Sequence, residues 1–516
     1  MLAILLHAHL PFVRHPEHEN FLEEDWLFEA ITETYLPLLD VMRRLAGEGV
    51  PFRLAMTVTP TLGQMLRDAL LLARYDRHLA RLIALAESEA RRMAGGPGAE
   101  AVRFHLLRLF HVREWWRACD RDIIGALGKL QGHGLELVAC AATHGLLPLM
   151  ALPGSVDAQV RLGVAAHREM FGREPTGFWL PECAYTPGLD AVLARHGLRW
   201  TALDAHAFTR AKPRPRNAVW SPVFMPSGVA AFGRDRDSAR QVWSASTGYP
   251  GDPAYREFYR DAGWDAPLEA LHPFLPDGAR KFTGLKLHRI TGQPAKEYYD
   301  RAAAMQAVKR HAAHFVAERS AQLRTLRECM DVPPVIFAPF DAELFGHWWF
   351  EGPEWLEAVL RRCAGSSGLP LTTPAEYLRG NDTHQIAQPA ASSWGDAGHW
   401  GVWLDPANSW IYPHLHAAER TMAVLAQTTA PSPLATRALQ QLARELLLAQ
   451  SSDWAFLMRA DTARKYATQR TRTHLRRFQI LADELAHGRI DEPALTIVEG
   501  RDNFLPDIDW RAFGRS

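Results

Sequence analysis

Short apolar runs recur along the first 350 residues, and each run ends in polar or ionisable side chains. Continuous apolar runs of this length are typical of strands buried on both faces, and the helical patterns between most of them predict parallel pairing. The predicted strands are LAILLHAH, FRLAMTVT, LELVACAATH, GFWLPE, WTALDAH, VAAFGRD and VIFAPFDAE. Because the polar residues follow the runs, the chemistry is expected at the carboxyl ends of the strands, as in a parallel α/β barrel.

An open doubly wound sheet would also place polar residues at the strand ends. Its usual glycine-rich phosphate turn is missing after the first run, however. We therefore predict an α/β fold in which residues 1–380 form a catalytic barrel of about seven parallel strands.

Three further segments interrupt or follow this pattern. Residues 64–118 are rich in alanine, leucine and arginine with helical spacing on both sides of a GGPG break, which predicts a helical hairpin inserted in the barrel. Residues 212–228 open with prolines and basic residues and predict a surface loop, which at a strand end could cover a site. Residues 381–516 are predicted to form a C-terminal helical domain, whose helical pattern starts near residue 411.

Charge and cysteine content narrow the function classes. Lysine plus arginine and aspartate plus glutamate each number 58, so no net field favours nucleic acid or an anionic membrane. The five cysteines have no C-x-x-C pair, which predicts reduced, buried thiols.

The first apolar run lacks a basic flank and a cleavage site, and no segment reaches 18 uncharged apolar residues, so we expect a cytoplasmic protein. The sequence leaves the oligomeric state open and is compatible with a monomer.

The 17 tryptophans are the most informative feature of the composition. A large rigid ring with a single hydrogen-bond donor suits a ligand that must be both stacked and hydrogen-bonded. Four of these rings fall within 17 residues, namely Trp394, Trp400, Trp403 and Trp410. They predict either a ligand groove or a core between two domains.

Two histidines end the first apolar run. His7 and His9 project from the same face of a strand, because side chains alternate along it. Such a pair can bind a metal or hold the hydroxyls of a neutral ligand. A metal would need further ligands, for which His144, Asp204 and Asp341 are possible sources.

Two acids follow apolar runs in aromatic surroundings. Glu182 lies in FWLPECAY beside Trp179, and Asp341 has a similar place in APFDAELFGHWWFEG. A structural ion pair would also explain a buried acid. Two carboxyl groups across one pocket are, however, what glycoside chemistry requires: one attacks the anomeric carbon and the other protonates the leaving oxygen.

The rest of APFDAELFGHWWFEG is given supporting roles. Glu343, two residues after Asp341, is expected to be a supporting or ion-paired acid. His347, Trp348 and Trp349 are expected to build a wall that keeps the site partly dry, or to belong to the core.

Five motifs resemble, in order, the motif regions of glycoside hydrolase family 57, especially those of its branching members. They are HAHLPF, LVACAATHGLLPL, FWLPECAY, APFDAELFGHWW and LLLAQSSDW, and they span residues 7–454. The resemblance implies a distorted (β/α)7 barrel with a small helical insertion and a C-terminal helical domain that closes over the cleft. It also implies a retaining mechanism on an α-glucan such as amylose, amylopectin or glycogen, without a metal or another cofactor.

The resemblance also suggests residue roles. Glu182 matches the nucleophile and Asp341 matches the general acid/base. The expected substrate-binding residues are His7, His9, His144, Arg234, Trp264, Trp394, Trp403, Asp453 and Trp454.

The chain departs from the branching members at one place. Those members carry a loop over the cleft with a tyrosine near its tip, and the corresponding region, residues 212–228, contains no tyrosine. Its only rings are Trp220 and Phe224. If this loop positions the acceptor, the missing phenol would shift activity from branching toward hydrolysis.

The resulting prediction is an α-glucan branching enzyme, with α-amylase or 4-α-glucanotransferase activity as the alternative within the family. A metal-dependent sugar deacetylase and a glucan-binding protein without catalysis are the alternatives of other classes. For a retaining enzyme, the carboxyl groups of Glu182 and Asp341 should lie about 5 to 5.5 Å apart.

Overall fold

The structure is a computed structural model that describes residues 1–244, 247–365, 368–428 and 432–514. Within these residues one sheet contains the strands β1 (Leu2–Ala8), β2 (Leu54–Val58), β3 (Leu135–Cys140), β4 (Gly177–Trp179), β5 (Trp200–Leu203), β6 (Val223–Phe224), β7 (Ala230–Gly233) and β8 (Ile336–Asp341). Their order is β6-β7-β5-β4-β3-β2-β1-β8. Seven strands run parallel, and only β6 is antiparallel to its neighbour β7. This confirms the predicted α/β fold with about seven parallel strands.

The two ends of the parallel sheet meet and close it into a barrel. Arg234, after β7, and Phe337, in β8, form an isolated parallel bridge. The backbone N–H of Asp235 donates to the carbonyl oxygen of Phe337 at 2.9 Å. Closure thus rests on one bridge instead of a full ladder, which is the distortion that the resemblance implied. The short β6 extends β7 at its edge and was not predicted as a separate strand.

Side-chain alternation along the strands fills the barrel interior and also aims the site. Every residue of β1 is buried. Ala3 and Leu5 belong to the interior cluster with Phe337 of β8. Because strand side chains repeat every two residues, His7 and Asp341 point into that same interior at the carboxyl ends of β1 and β8. The two residues are also partners in the register between these strands.

Helices cover the outside of the barrel. They are α1 (Glu24–Ala30), α2 (Leu36–Gly47), α3 (Pro60–Met65), α4 (Ala69–Arg92), α5 (Ala99–Ala118), α6 (Ile123–Leu130), α7 (Pro153–Phe171), α8 (Leu189–Arg195), α9 (Ala205–Thr209), α10 (Arg236–Trp243), α11 (Ala262–Asp265), α12 (Leu268–Leu271), α13 (Arg301–Cys329), α14 (Gly352–Ala364) and α15 (Pro374–Gly380). A π-helical turn, Ile31–Tyr35, joins α1 to α2.

The paired helices α4 and α5 occupy the segment predicted as an inserted hairpin. The first of them begins at Ala69, not at residue 64, because Asp68 caps it by accepting a hydrogen bond from the Leu71 N–H. Residues 64 and 65 belong to the separate helix α3.

The carboxyl-terminal part is helical, as predicted. Its helices are α16 (Ile411–Leu425), α17 (Pro433–Ala449), α18 (Ser452–Ala460), α19 (Arg464–His487) and α20 (Glu492–Arg501). The chain between α15 and α16 first returns along the barrel, where Gln388 bridges Lys212 and Ser392 bridges Tyr185. The boundary at residue 380 stays a prediction.

The burial of the cysteines and the length and apolar character of the helices can also be described. Four cysteines are buried as expected, whereas Cys329, at the end of α13, is exposed. Among the helices of the described residues, none combines the length and apolar character needed to cross a membrane.

Candidate active site

Glu182 stands in a strained turn after β4. The turn spans Pro181–Cys183, and both Glu182 (φ 61°) and Cys183 (φ 49°) adopt left-handed backbone conformations. This region is uncommon for residues other than glycine and costs about 1–3 kcal/mol per residue. The turn is held from outside, since the carbonyl oxygen of Glu182 accepts a hydrogen bond from the Trp394 backbone N–H at 3.0 Å. The turn and this hydrogen bond together fix the direction of the Glu182 side chain.

The Glu182 carboxylate accepts one hydrogen bond on each oxygen. Trp394 Nε1 donates to Oε2 at 2.8 Å, and Ser452 Oγ donates to Oε1 at 2.9 Å. Burial and the neighbouring Asp453 charge raise the pKa of Glu182, while the two donors oppose that shift. Both donors favour the ionised form, which is the form a nucleophile needs.

Asp341, at the end of β8, has different surroundings. Within the described part of the chain, no group donates a hydrogen bond to its carboxyl group. Burial, followed by the negative charges of Glu343 and Glu182, raises the pKa of Asp341 to about 8, although Arg234 and His9 oppose this rise. Asp341 therefore keeps its proton at neutral pH. A hydrogen-bonded carboxylate and a protonated carboxylic acid in one site can take different roles, the first as nucleophile and the second as general acid.

A chain of side chains from β2 to α18 orients the Glu182 carboxylate. His7 Nδ1 lies 2.6 Å from Thr57 Oγ1, His7 Nε2 lies 3.0 Å from His144 Nε2, and His144 Nδ1 lies 3.0 Å from Ser452 Oγ. Burial lowers the pKa of His7 and His144 well below the usual value, so both imidazoles are neutral. Each then carries a single ring proton.

Proton counting fixes the direction of this chain. Ser452 donates its only hydroxyl proton to Glu182, so it accepts from His144 Nδ1. His144 Nε2 then has no proton and accepts from His7 Nε2, and His7 Nδ1 in turn accepts from Thr57. Every donor therefore points toward the Glu182 carboxylate.

His9 is the cationic member of the site. Its Nε2 lies 3.0 Å from both carboxylate oxygens of Asp453, its Nδ1 lies 3.0 Å from Thr59 Oγ1, and its ring stacks on His144 at 3.8 Å. Burial by itself would lower the pKa of His9, but the charges of Asp453, Glu182 and Glu343 outweigh burial and raise it. The raised pKa favours the imidazolium form of His9 beside the candidate nucleophile.

Glu343 supports Asp341 rather than duplicating it. Its Oε1 accepts hydrogen bonds from Tyr35 Oη at 2.6 Å and from the His9 backbone N–H at 3.1 Å. Tyr35 ends the π-helical turn between α1 and α2. Glu343 is thereby fixed beside Asp341, where its charge contributes to the raised pKa of that acid.

Replacing Glu343 by glutamine is expected to move the alkaline limb of the pH profile to lower pH by about one unit. The substitution removes a negative charge that raises the pKa of Asp341, so Asp341 loses its proton at lower pH. An amide oxygen can still accept from Tyr35. The measurement is kcat/KM for amylose against pH, with the exposed Glu48→Gln as a control. An unshifted limb in Glu343→Gln would show that Glu343 does not tune Asp341.

Two family sequence models match this chain. The sequence model described as glycosyl hydrolase family 57 matches residues 3–388, which is most of the chain. The chain belongs to glycosyl hydrolase family 57. A second model, described as the C-terminal region of 1,4-α-glucan branching enzyme, matches residues 414–513.

Full-length relatives agree with this assignment. A 1,4-α-glucan branching enzyme of Thermococcus kodakarensis is 35% identical over 545 residues, covering 98% of this chain and 78% of the relative. The crystal structure of a family 57 branching enzyme from Pyrococcus horikoshii superposes with a TM-score of 0.91 at 33% identity, covering 100% and 97% of the two chains. The crystal structure of the α-amylase AmyC from Thermotoga maritima superposes with a TM-score of 0.93 at 44% identity, covering 100% and 99%.

Several predicted substrate-binding residues of this family 57 chain meet at one site. His7, His9, His144 and Asp453 form the network around Glu182. Trp394 adds its ring, which lies edge-on to Trp179 with centroids 5.1 Å apart. Arg234 completes the group, with its guanidinium 5.5 Å from the Trp394 ring and 3.7 Å from Asp204.

The possible metal ligands do not assemble as the H-x-H pattern suggested. His9 and His144 come together with Asp453, not with Asp204 or Asp341. The ring nitrogens of these histidines already have protein partners, namely Thr59 and Asp453 for His9, and His7 and Ser452 for His144.

Two predicted contact residues instead pack inside the protein. Trp403 is 2% exposed and Trp454 is 1% exposed, and both belong to the apolar cluster beneath the C-terminal helices. Trp454 Nε1 donates to the Leu448 carbonyl oxygen at 2.7 Å, so its polar edge is used internally. Both rings pack in this cluster, and their contact with glucan stays a prediction. Trp264 lies elsewhere, on α11, and is 53% exposed.

Residues 212–228, expected to form the loop over the cleft, include the short strand β6, and their place over the cleft stays a prediction. Phe224 belongs to β6 and pairs with Ala230 at the amino end of β7. The Trp220 carbonyl oxygen accepts from the Val335 N–H, just before β8 begins, and Trp220 Nε1 donates to Asp235. Because β6 is antiparallel to β7, the residues before β6 lie toward the carboxyl end of β7, which Asp235 follows. The effect of the missing tyrosine on the acceptor therefore stays a prediction.

The site also contains residues that the sequence interpretation missed. Ser452 donates to Glu182, Thr57 anchors His7, and Tyr35 anchors Glu343. Ser452 could have been found, because it directly precedes Asp453 in the motif LLLAQSSDW. Thr57 ends a predicted strand in the same way as His7, whereas Tyr35 lies in a helical segment without a signal of its own.

Proposed function

We propose that this protein is a retaining 1,4-α-glucan branching enzyme. The observation that carries the proposal is the pair of carboxyl groups in unlike surroundings. Glu182 is held by two donors, and Asp341, with a pKa raised to about 8, is protonated at neutral pH. Family membership favours chemistry at a glycosidic bond over the deacetylase alternative. The full-length branching relatives and the matched branching C-terminal region support the transfer reaction.

In the first step Glu182 attacks C1 of an α-1,4-linked glucose. Asp341 gives its proton to the departing O4, so the bond breaks without expelling an alkoxide. The product is a covalent glycosyl–enzyme ester, and the released chain carries a free 4-hydroxyl. Asp341 is left as a carboxylate.

In the second step Asp341 acts as the base. It removes the proton from the 6-hydroxyl of an acceptor glucan, whose oxygen attacks C1 and releases Glu182. Water in place of the 6-hydroxyl would give hydrolysis. The choice between them depends on how well the acceptor is held and how well water is excluded.

The polar network around the carboxyl pair has a binding role in this proposal. His9, which is linked to Asp453 and has a raised pKa, stabilises negative charge near Glu182. The Trp394 ring, at the edge of the Glu182 carboxylate, offers an apolar face to a pyranose. The ligand in this proposal is an α-glucan.

One observation favours α-amylase activity as a second candidate. The amylase AmyC is 44% identical to this chain, compared with 33% for the branching enzyme of Pyrococcus horikoshii. The absence of a tyrosine from residues 212–228 would also favour hydrolysis if that segment positions the acceptor.

The two candidates are separated by the products formed from amylose. We expect new α-1,6 linkages, measured as chains released by a debranching enzyme, together with loss of iodine staining and few new reducing ends. The expectation follows because transfer conserves the number of reducing ends while hydrolysis creates one per cleavage. Abundant reducing ends without α-1,6 linkages would establish an amylase, and Glu182→Gln protein prepared in parallel controls for contaminating activity.

A further inference from the structure

Three aromatic residues form an exposed ledge outside the catalytic network. We name Phe258, Tyr259 and Trp348 together the Trp348 ledge. Trp348 is 51% exposed and Tyr259 is 73% exposed, while Phe258 is half-buried beneath them. Clustered large rings in water are unfavourable for a protein surface and mark places that bind something.

The Trp348 ring is held rigidly. Phe258 stacks on it with centroids 4.2 Å apart and planes inclined by 28°. His347 lies edge-on to Trp348 at 5.3 Å. Beneath this pair, Lys286 Nζ lies 3.9 Å from the Phe258 centroid. A ring fixed in this way loses little side-chain entropy when a ligand covers its remaining surface.

The ledge is attached to the catalytic end of the barrel. The Trp348 backbone N–H donates to the Glu343 carbonyl oxygen at 3.2 Å, and the Trp349 N–H donates to Leu344 at 2.8 Å. These bonds fold residues 343–349 into a compact turn directly after Asp341. Trp348 therefore belongs to the same end of the barrel as the candidate acid, on the outer side of the turn.

We propose that the Trp348 ledge binds a segment of α-1,4-glucan outside the catalytic network. The inference rests on the proposed function, because it takes the ligand to be the substrate polymer. A pyranose has an apolar C–H face that stacks on an indole and a rim of hydroxyls that stays in water or accepts donors. The ring atoms of the ledge are uncharged, and the hydroxyl of the exposed Tyr259 supplies a polar edge, whereas Lys286 is buried against Phe258.

The exposed rings continue beyond the ledge. Lys286 Nζ also lies 5.9 Å from the Phe282 ring, which is 6.4 Å from the Trp264 ring. Phe282 and Trp264 are 41% and 53% exposed. Trp264, expected from sequence to touch glucan, and Phe282 thus lie near the ledge, with the buried Lys286 between Phe282 and Phe258. Exposed rings at more than one place suit an extended polymer better than a single sugar.

The test measures binding without turnover. In a Glu182→Gln background, affinity electrophoresis through gels containing glycogen gives a Kd for each variant. Trp348→Ala is expected to raise the Kd for glycogen about tenfold, the loss of one stacked ring, and to raise the Kd for maltohexaose less. Trp348→Phe, which keeps an aromatic face, should recover most of the affinity. The control is Trp243→Ala, which removes a ring of similar exposure (48%) on α10.

The outcomes separate the ledge from the proposed function. An unchanged Kd for glycogen in Trp348→Ala, in an enzyme whose Glu182 form acts on amylose, overturns the ledge alone. A protein that neither binds nor converts any α-glucan overturns the proposed function itself. A change of mass in sedimentation without a change of Kd would make the ledge a contact between copies and would also overturn the proposal. Melting curves check that each variant is folded.

Discussion

Replacement of Glu182 by glutamine is expected to lower kcat on amylose by roughly three orders of magnitude or more. An amide cannot form the glycosyl ester, so the first chemical step is lost. Binding should survive, because the amide fits the same two partners. Its oxygen can accept from Trp394 Nε1, and its NH2 can donate to Ser452 Oγ, since a hydroxyl also accepts.

The result is checked by pairing activity with glycogen affinity. Glu182→Gln should keep a Kd for glycogen close to that of the native enzyme and a melting temperature at or above it, because a buried ionisable group has become neutral. Glu174→Gln, an exposed acid just before β4, serves as the matched control and should keep full activity. Retention of turnover in Glu182→Gln would refute its role as nucleophile.

The barrel and the carboxyl pair could be predicted because each depends on local pattern. The continuous apolar run LAILLHAH predicts a strand, and side chains alternate along a strand, so His7 must share a face with Leu5. The same reasoning turns Asp341 inward with Phe337. Polar residues after buried parallel strands then meet at one end of the barrel. No distant contact had to be guessed for this part.

The supporting residues depend on distant contacts, which the sequence does not reveal. Ser452 lies 270 positions from Glu182 in the chain, so only the docking of α18 on the barrel makes it a donor. The same docking separates two neighbours, since adjacent helical residues point about 100° apart. Asp453 turns toward His9, whereas Trp454 turns into the core. The motif LLLAQSSDW contains both residues but does not show which of them faces the cleft.

The segment 212–228 shows a different limit. Its prolines and charges correctly indicated irregular chain, but composition does not say at which end of a barrel a loop lies. The antiparallel pairing of β6 with β7 places Phe224 beside the amino end of β7 and the residues before β6 toward its carboxyl end. The connection from β7 to α13, which carries Phe258 and Tyr259, also starts at a carboxyl end.

Replacement of Asp341 by asparagine is expected to abolish both steps on amylose, with a loss of roughly 10² to 10⁴ in kcat/KM. Asparagine has no proton to give to O4 and no carboxylate to accept one from the acceptor. A maltooligosaccharide with an activated aryl leaving group needs less protonation, so its bond should still be broken by Glu182. The covalent intermediate should then accumulate, and azide, which needs no base, should release it as a glycosyl azide.

The pH profile of the native enzyme provides a second test of Asp341 as the general acid. Because burial and the Glu343 and Glu182 charges raise its pKa to about 8, the acid is protonated below that pH and ionised above it. We therefore expect kcat/KM for amylose to fall as pH rises through about 8, and Asp341→Asn to lose that alkaline limb for the aryl substrate. Asp331→Asn, which changes an exposed acid five residues before β8, should keep the native profile. Full activity of Asp341→Asn on amylose, or a native alkaline limb in that variant, would exclude Asp341 as the acid and transfer the search to Glu343. Because folding raises the pKa of Asp341 from 3.8 to about 8, this group lowers the free energy of unfolding progressively as pH rises from about 4 to about 8. Asp341→Asn should therefore also melt at a higher temperature than the native enzyme at pH 9, which shows that the loss of activity is not a loss of fold.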